Sequence, residues 1–265
     1  TVFIECFAMY KTDGPEAFRV IGETEFVNGI AAMSASGLYG PCRVAAGIVG
    51  SANLDIGAAV GDVLDAHIQA GGGRFRGIRC QGNFDETGGT AGGRGVTRPD
   101  RFDGASFREG FAQLAPRGQS FEAWCFHPQI PRVTDLARAF PDTTIILNHF
   151  GGPLGVGNFE GKADEVYAKW QKDIAELAGC PNVVAKLGGI NMELNGFGWH
   201  EQDRPPTSVE LMEATRRYYE FTIEKFGVER CMFESNFPVD MVTCSYNVLW
   251  NSFKRLTAGY SDAEK

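Results

Sequence analysis

The sequence has no long hydrophobic run: no apolar stretch approaches the ~18 residues of a membrane-spanning helix, and no signal-peptide pattern opens the chain. It has no basic excess either, since 33 Asp and Glu outnumber 25 Lys and Arg, and the basic residues are scattered. Both absences argue against a membrane partner and against a nucleic-acid surface. There is no Cys-x-x-Cys pair among the seven cysteines, which favours free thiols and predicts a cytoplasmic protein without disulfides. Four of them lie in or at the end of predicted strands and are expected to be buried: Cys6, Cys80, Cys125 and Cys231.

What is present is enough to bury a large core, because the chain has 265 residues, 43% of them hydrophobic. Short β-rich runs alternate with helical stretches, the pattern of βα units around a parallel sheet. Helices are predicted over 131–140 and 163–180; in the second, apolar residues recur three or four positions apart. Seven strands are predicted, over 2–6, 43–50, 75–80, 120–126, 143–149, 182–187 and 230–235.

Seven βα units are one short of a closed (β/α)₈ TIM barrel. We therefore expect an α/β chain that forms a single barrel domain over residues 1–265, with the first strand missing from this chain. An open doubly wound sheet is the alternative. Three long connections, 81–104, 150–162 and 188–208, follow strands. In a barrel they would meet at the C-terminal face, where active sites are built, and we expect a pocket walled by 81–104 and 188–208.

Polar residues stand at the predicted strand ends, and ionisable side chains are costly to bury without partners. One shared polar cavity would explain them, although any single strand end could instead be solvated. The residues are Glu5, Arg79, His127, His149, Lys186, Glu234 and Asn236. Of the other two histidines, His67 is predicted to be a surface or packing residue. His200 lies in a long loop and could be either a lid residue or merely exposed.

The two strand-end histidines, His127 and His149, terminate successive predicted strands, whose tips in a parallel sheet lie about 5 Å apart. Two imidazoles at that spacing can converge on one metal ion or one substrate oxygen. Strand alternation places Glu234 on the same face as Asn236, provided that the strand is still regular there. A carboxylate inside a barrel needs a cationic partner, and Lys186 on the neighbouring strand is the candidate.

Four segments carry a family resemblance: "FRGIRC", "FHPQIPRVTDLARAFPDT", "ILNHFGGP" and "CMFESNFPVD". Together they resemble predicted metal-dependent hydrolases of the amidohydrolase superfamily, in the branch with sugar lactonases and the pyrone dicarboxylate lactonase. The resemblance implies a (β/α)₈ barrel whose first strand ends in a metal-binding His-x-His pair. No His-x-His occurs in this sequence, so we expect that pair in an N-terminal segment outside this chain.

The resemblance also implies roles for particular residues. His127 and His149 correspond to family histidines that ligate the metal or contact the substrate. Asn236 stands where the family usually has an Asp that binds metal and takes a proton from the attacking water. A divalent metal such as Zn is therefore implied, while the Asn and the existence of metal-independent lactonases in this branch leave a metal-free site open.

The expected activity is hydrolysis of a small anionic lactone or similar cyclic ester, with an amide as the second choice. A metal-dependent decarboxylase and a non-catalytic ligand-binding barrel are the alternatives. The expected partner is a small molecule, and the sequence is compatible with a homo-oligomer. The candidate residues are His149, Asn236 and Glu234 for catalysis, Arg79, Lys186 and Glu5 for substrate binding, and His127 and His149 for a metal.

Overall fold

The computed structural model describes residues 1–86 and 98–265, so residues 87–97 of the 81–104 connection lie outside the described part. All seven predicted strands are confirmed. They are β1 (Val2–Ile4), β2 (Gly47–Ser51), β3 (Phe75–Gln81), β4 (Ser120–Trp124), β5 (Ile145–Leu147), β6 (Val183–Leu187) and β7 (Cys231–Phe233). The helices are α1 (Ile21–Ala35), α2 (Val60–Ala70), α3 (Ala105–Phe111), α4 (Ile130–Ala139), α5 (Ala163–Ala178), α6 (Ser208–Phe226) and α7 (Tyr246–Leu256). The predicted helices 131–140 and 163–180 correspond to α4 and α5.

The strands follow one another in the sheet in chain order, from β1 to β7. The ladders between β1 and β2, β2 and β3, and β6 and β7 are parallel. A doubly wound sheet reverses its strand order at a switch point, so the alternative of an open doubly wound sheet is wrong. Within the described residues no eighth strand is present, and closure into a (β/α)₈ barrel stays a prediction.

The chain divides into two compact units, each discontinuous in sequence. Unit 1 comprises Thr1–Gln81, Asp100–Ala123 and Ala139–Ile145, and unit 2 comprises the other described residues. The unit boundaries pass through β4 and β5. The organisation as a single domain over 1–265 stays a prediction.

Unit 1 is packed around an aromatic cluster and a buried histidine. Phe107 and Phe111 of α3 contact Phe121 of β4 edge-on, with ring centroids 6.1 and 5.0 Å apart. His67 of α2 is fully buried and bonded to the Thr24 hydroxyl and the Ser51 carbonyl oxygen, which identifies it as a packing residue. Burial lowers its pKa to about 4.

Arg101, also in unit 1, joins three segments of the chain. Its Nη1 donates to the Gln81 carbonyl oxygen at 2.7 Å, and its Nε donates to Asp55 Oδ2 at 3.0 Å. Arg101 thus holds the far end of the 81–104 connection against the end of β3, where that connection begins.

Unit 2 is built on α5 and α6. The apolar stripe predicted for α5 is buried, and its Trp170 packs edge-on against Tyr218 of α6 with ring centroids 4.8 Å apart. Thr207 and Glu210 form a capping box at the start of α6. Arg230 donates to backbone carbonyls at the end of α5, including that of Ala178 at 2.9 Å, and so connects α5 to the start of β7.

No helix among the described residues is long and apolar enough to cross a bilayer. Cys80 and Cys125 are buried, as expected of strand cysteines, and Cys231 is half-buried. Cys6 is exposed, which corrects the expectation of a buried residue, because β1 ends two positions earlier at Ile4.

Candidate active site

His149 stands on a left-handed turn that follows β5. The four residues 149–152 all have positive φ, at +52°, +57°, +65° and +49°. A non-glycine residue in this region costs roughly 1–2 kcal/mol, so the turn needs external support. Trp170 Nε1 supplies it by donating to the Phe150 carbonyl oxygen at 2.7 Å, and Gly152 N donates to His149 O at 2.9 Å. Because the turn is held in this way, the direction of the His149 side chain is set by the backbone.

A buried cluster of three ionisable side chains forms at His149. His149 Nδ1 lies 2.6 Å from Glu234 Oε1, and Lys186 Nζ lies 3.5 Å from Glu234 Oε2. The exposed fractions of the His149, Lys186 and Glu234 side chains are 5%, 6% and 14%. Lys186 is thus the cationic partner that the sequence suggested for Glu234. The Trp124 ring meets the imidazole edge-on at 4.7 Å and covers one side of it.

Two consecutive glycines after β6 make room for this cluster. A Cβ on Gly189 would lie 2.1 Å from His149 Nδ1, and one on Gly188 would lie 2.1 Å from the Glu234 carbonyl oxygen. Gly189 also has a φ of +70°, which side chains rarely adopt. The Gly-Gly pair in "KLGGI" is the sequence signal for this close approach.

Asn236 is bonded to a residue that sequence reasoning missed, Asp240. The Asn236 Nδ2 donates to Asp240 Oδ1 at 2.7 Å, and the Asp240 backbone N donates to Asn236 O at 3.1 Å. The strand alternation expected for Glu234 and Asn236 does not reach Asn236, because β7 ends at Phe233 and Asn236 has a φ of +51°. The four-residue spacing in "NFPVD" was the available signal.

The Asp240 carboxyl is fully buried, and burial raises its pKa to about 6. The amides of Asn236 and Asn191 and the neighbouring His149 act in the opposite direction, while Glu234 adds to the rise. A carboxyl with a pKa near neutrality beside polar and ionisable groups is typical of functional sites, although structural networks also produce it.

His127 lies in a short turn between β4 and α4, and its side chain is buried. Its Nδ1 accepts a hydrogen bond from Leu154 N at 3.3 Å, so only Nε2 is left for a ligand. Burial and the charge of Lys169 lower its pKa to about 4, and the Gly152 backbone partly offsets that fall. The imidazole is therefore neutral at neutral pH, as a metal ligand must be.

Glu5 and Arg79, both in unit 1, bind each other. Arg79 Nε donates to Glu5 Oε1 at 2.7 Å, and Nη2 donates to the Glu5 backbone oxygen at 2.7 Å. The exposed fractions of the side chains are 17% for Arg79 and 1% for Glu5. Much of the donor fork expected to hold a substrate carboxylate is thus directed at Glu5, and the substrate-binding role of both residues stays a prediction.

A cleft of about 440 Å³ opens in unit 2. Part of the 188–208 connection lines it, with Trp199, Gln202 and Asp203 among the residues, and so does the segment 241–245 that follows Asp240. None of the predicted site residues lines this cleft, so the pocket expected at the strand ends, walled by 81–104 and 188–208, stays a prediction. The described part of 81–104 does not line this cleft.

The described residues do not by themselves fit a resident metal ion. Across 1–86 and 98–265, no three His, Cys, Asp or Glu side chains converge as a metal site would require. His149 Nδ1 faces Glu234, His127 Nδ1 is bonded to a backbone N–H, and Asn236 offers only a neutral oxygen. A His127–His149 metal pair stays a prediction.

Comparison with known proteins agrees with the sequence resemblance. The family model described as Amidohydrolase matches residues 15–265, so the chain belongs to this family of enzymes. It is 38% identical over 220 residues to the uncharacterized protein y4mH of Sinorhizobium fredii, covering 83% of this chain and 65% of that protein. It is 28% identical over 145 residues to an L-fucono-1,5-lactonase of Burkholderia multivorans, covering 55% of this chain and 46% of that enzyme. The chain thus spans less than two thirds of either relative.

Among solved structures, an amidohydrolase of Burkholderia multivorans with bound zinc superposes with a TM-score of 0.70 and 26% identity. The match covers 91% of this chain and 74% of that one. A probable 2-pyrone-4,6-dicarboxylic acid hydrolase of Acinetobacter baumannii, at 13% identity and a TM-score of 0.51, covers 90% of this chain and 74% of its own and shows the fold alone.

Proposed function

We propose that this chain hydrolyses a small lactone, with His149 as the group that moves the proton. The observation that carries the proposal is the 2.6 Å contact between His149 Nδ1 and Glu234 Oε1 in a buried cluster with Lys186. The family supports a hydrolase, and the similarity to an L-fucono-1,5-lactonase supports a sugar-acid lactone as the first substrate class to test.

The proton chemistry follows from which imidazole nitrogen is engaged. Glu234 faces Nδ1, so Nε2 is the nitrogen that can accept a proton from water. Water attacks the lactone carbonyl carbon while Nε2 takes its proton, which gives a tetrahedral intermediate. The ring C–O bond then breaks, and the proton passes from Nε2 to the departing alkoxide. The hydroxy-acid product ionises above its pKa, so each turnover releases one proton.

Glu234 and Lys186 have distinct tasks in this proposal. The Glu234 carboxylate orients the imidazole and stabilises the imidazolium formed when Nε2 is protonated. The Lys186 ammonium, 3.5 Å from the other carboxylate oxygen, balances the charge of Glu234. No step uses a metal, because the described residues do not complete a ligand set.

The test is a pH-indicator assay with L-fucono-1,5-lactone, other sugar-acid lactones and 2-pyrone-4,6-dicarboxylate, on the parent and on His149→Asn and Glu234→Gln. We expect both variants to lose about 10²–10⁴-fold in kcat. Glu176→Gln, which removes a surface carboxylate of the same unit, is the control and should keep parental turnover. Mass analysis of the product separates the alternatives: hydrolysis adds one water, whereas decarboxylation loses carbon dioxide. Full turnover in His149→Asn would refute the proposed role.

A further inference from the structure

We propose that Asp240 is a positioning residue of this site, whose buried carboxylate orients the Asn236 amide so that Oδ1 is the atom offered to a ligand. The inference rests on the proposed function and deepens it. Two hydrogen bonds, one in each direction, join Asn236 and Asp240, which are four residues apart in the chain. Asn236 Nδ2 donates to Asp240 Oδ1 at 2.7 Å, and the Asp240 backbone N donates back to Asn236 O at 3.1 Å.

The chemistry of the two groups decides which way the amide points. An ionised carboxylate only accepts hydrogen bonds, whereas an amide donates through nitrogen and accepts through oxygen. The nitrogen of Asn236 therefore faces Asp240, and Oδ1 is directed away from it. The Asn236 side chain is only half-buried, so Oδ1 is the atom that can still reach a substrate or a water molecule.

Asp240 itself acts through Asn236, since it has no exposed surface and cannot touch a substrate. Its own position is determined by the backbone around it. Thr243 N donates to Asp240 O at 3.1 Å, and Thr243 Oγ1 donates to Asn191 O at 2.6 Å on the connection after β6. Asn236 in turn has a φ of +51°, a conformation in which Asn is among the tolerated residues. Both ends of the pair are thus held before a ligand arrives.

The expected consequence is a coupling between the two positions. Asp240→Asn keeps the size of the side chain but places an amide opposite the Asn236 amide. An amide can both donate and accept, so it no longer determines which end of the Asn236 amide faces it. We expect kcat on the most rapidly hydrolysed lactone of the panel to fall about 10–100-fold, as for loss of a residue that orients a ligand-contacting group. In an Asn236→Ala background, the same change should cost less than about twofold, because there is no amide left to orient.

Asp173→Asn provides the matched control. Asp173 is another buried aspartate of unit 2, bonded to Lys169 on α5, and its replacement should leave kcat at the parental value. Additive losses for Asp240→Asn and Asn236→Ala would show that Asp240 does not act through Asn236 and would overturn the proposal.

A second measurement is independent of turnover. The side-chain amide resonance of Asn236, assigned by its loss in Asn236→Ala, should exchange with solvent slowly in the parent. In Asp240→Asn it should exchange at least about tenfold faster, as expected for loss of a bond to a charged acceptor. An unprotected Asn236 amide in the parent overturns the proposal even if Asp240→Asn does not fold. A protected amide in a parent without activity on any lactone supports the orientation and refutes only the proposed function.

Discussion

Gly189→Ala tests whether the His149–Glu234 contact determines activity. The added Cβ would lie 2.1 Å from His149 Nδ1 and 2.6 Å from its Cγ. Ordinary contact distances require the imidazole to move away by roughly 1 Å or more. The atom displaced is the nitrogen that lies 2.6 Å from Glu234 Oε1. A misplacement of about 1 Å can cost ~100-fold in rate, so we expect kcat to fall about 100-fold, equivalent to about 2.7 kcal/mol.

Gly161→Ala is the matched control for this variant. Gly161 has a φ of +72°, against +70° for Gly189, and an added Cβ there meets nothing within 4 Å. Both variants should therefore share the backbone strain of about 1–2 kcal/mol and a similar fall in Tm, while only Gly189→Ala displaces the imidazole.

The measurements are kcat in the lactone assay and the imidazole ¹⁵N resonances of the four histidines. We expect the His149 resonance to shift in Gly189→Ala and to stay in place in Gly161→Ala. If the two variants have kcat values within about threefold of each other, the 2.6 Å contact does not determine turnover and the reasoning is wrong.

Three further predictions use other parts of the structure. Arg79→Met should lower the free energy of unfolding by about 3 kcal/mol, because the buried ion pair with Glu5 is lost. If Arg79 also binds substrate, KM should rise more for anionic than for neutral lactones, whereas equal changes in KM would show that Arg79 is structural. Because the pKa of His67 is lowered to about 4 in the folded protein, its contribution to the free energy of unfolding is fully present above pH 6.5 and falls by about 3 kcal/mol as the pH drops to 4. Chemical unfolding of His67→Phe should not show this pH-dependent fall. The parent should contain less than one equivalent of zinc or none, and Asn236→Asp should contain more, because the variant places a second carboxylate beside that of Asp240. One equivalent retained by the parent through dialysis against chelator would contradict this prediction.

The fold was predictable because its signals are local. β-branched runs separated by amphipathic segments predicted all seven strands, and the spacing of apolar residues predicted the buried face of α5. Strand ends were less accurate: β1 ends at Ile4 rather than at residue 6, and β5 ends at Leu147 rather than at residue 149. Side chains expected at strand tips thus lie on turns beyond them, where a hydrophobic pattern carries no directional information.

The candidate site was predictable in composition more than in arrangement. The contact of Glu234 with Lys186 follows from neighbouring strands, and it is observed. The contact of Glu234 with His149 depends on a left-handed turn and on two glycines, features that no periodicity encodes. Asp240 was missed because a buried aspartate beyond a strand tip looks like an ordinary turn residue. The bond of Arg79 to Glu5 could not be predicted, because it joins two strand ends that the sequence does not pair, and the substrate-binding role of Arg79 stays a prediction.

Arg101 has a consequence for how this protein can diverge. The bond from Arg101 to the Gln81 carbonyl oxygen holds residues 81 and 101 next to each other. This bond does not depend on how many residues lie between them. Gly82 and Phe84, which follow β3, are bonded to Trp124 and Gln129, so the start of this segment cannot be exchanged freely. A change in the number of residues between Phe84 and Asp100 should leave the Arg101 bond and the register of β3 unchanged. We therefore expect variation in length between Phe84 and Asp100 to be tolerated as long as Arg101 is kept.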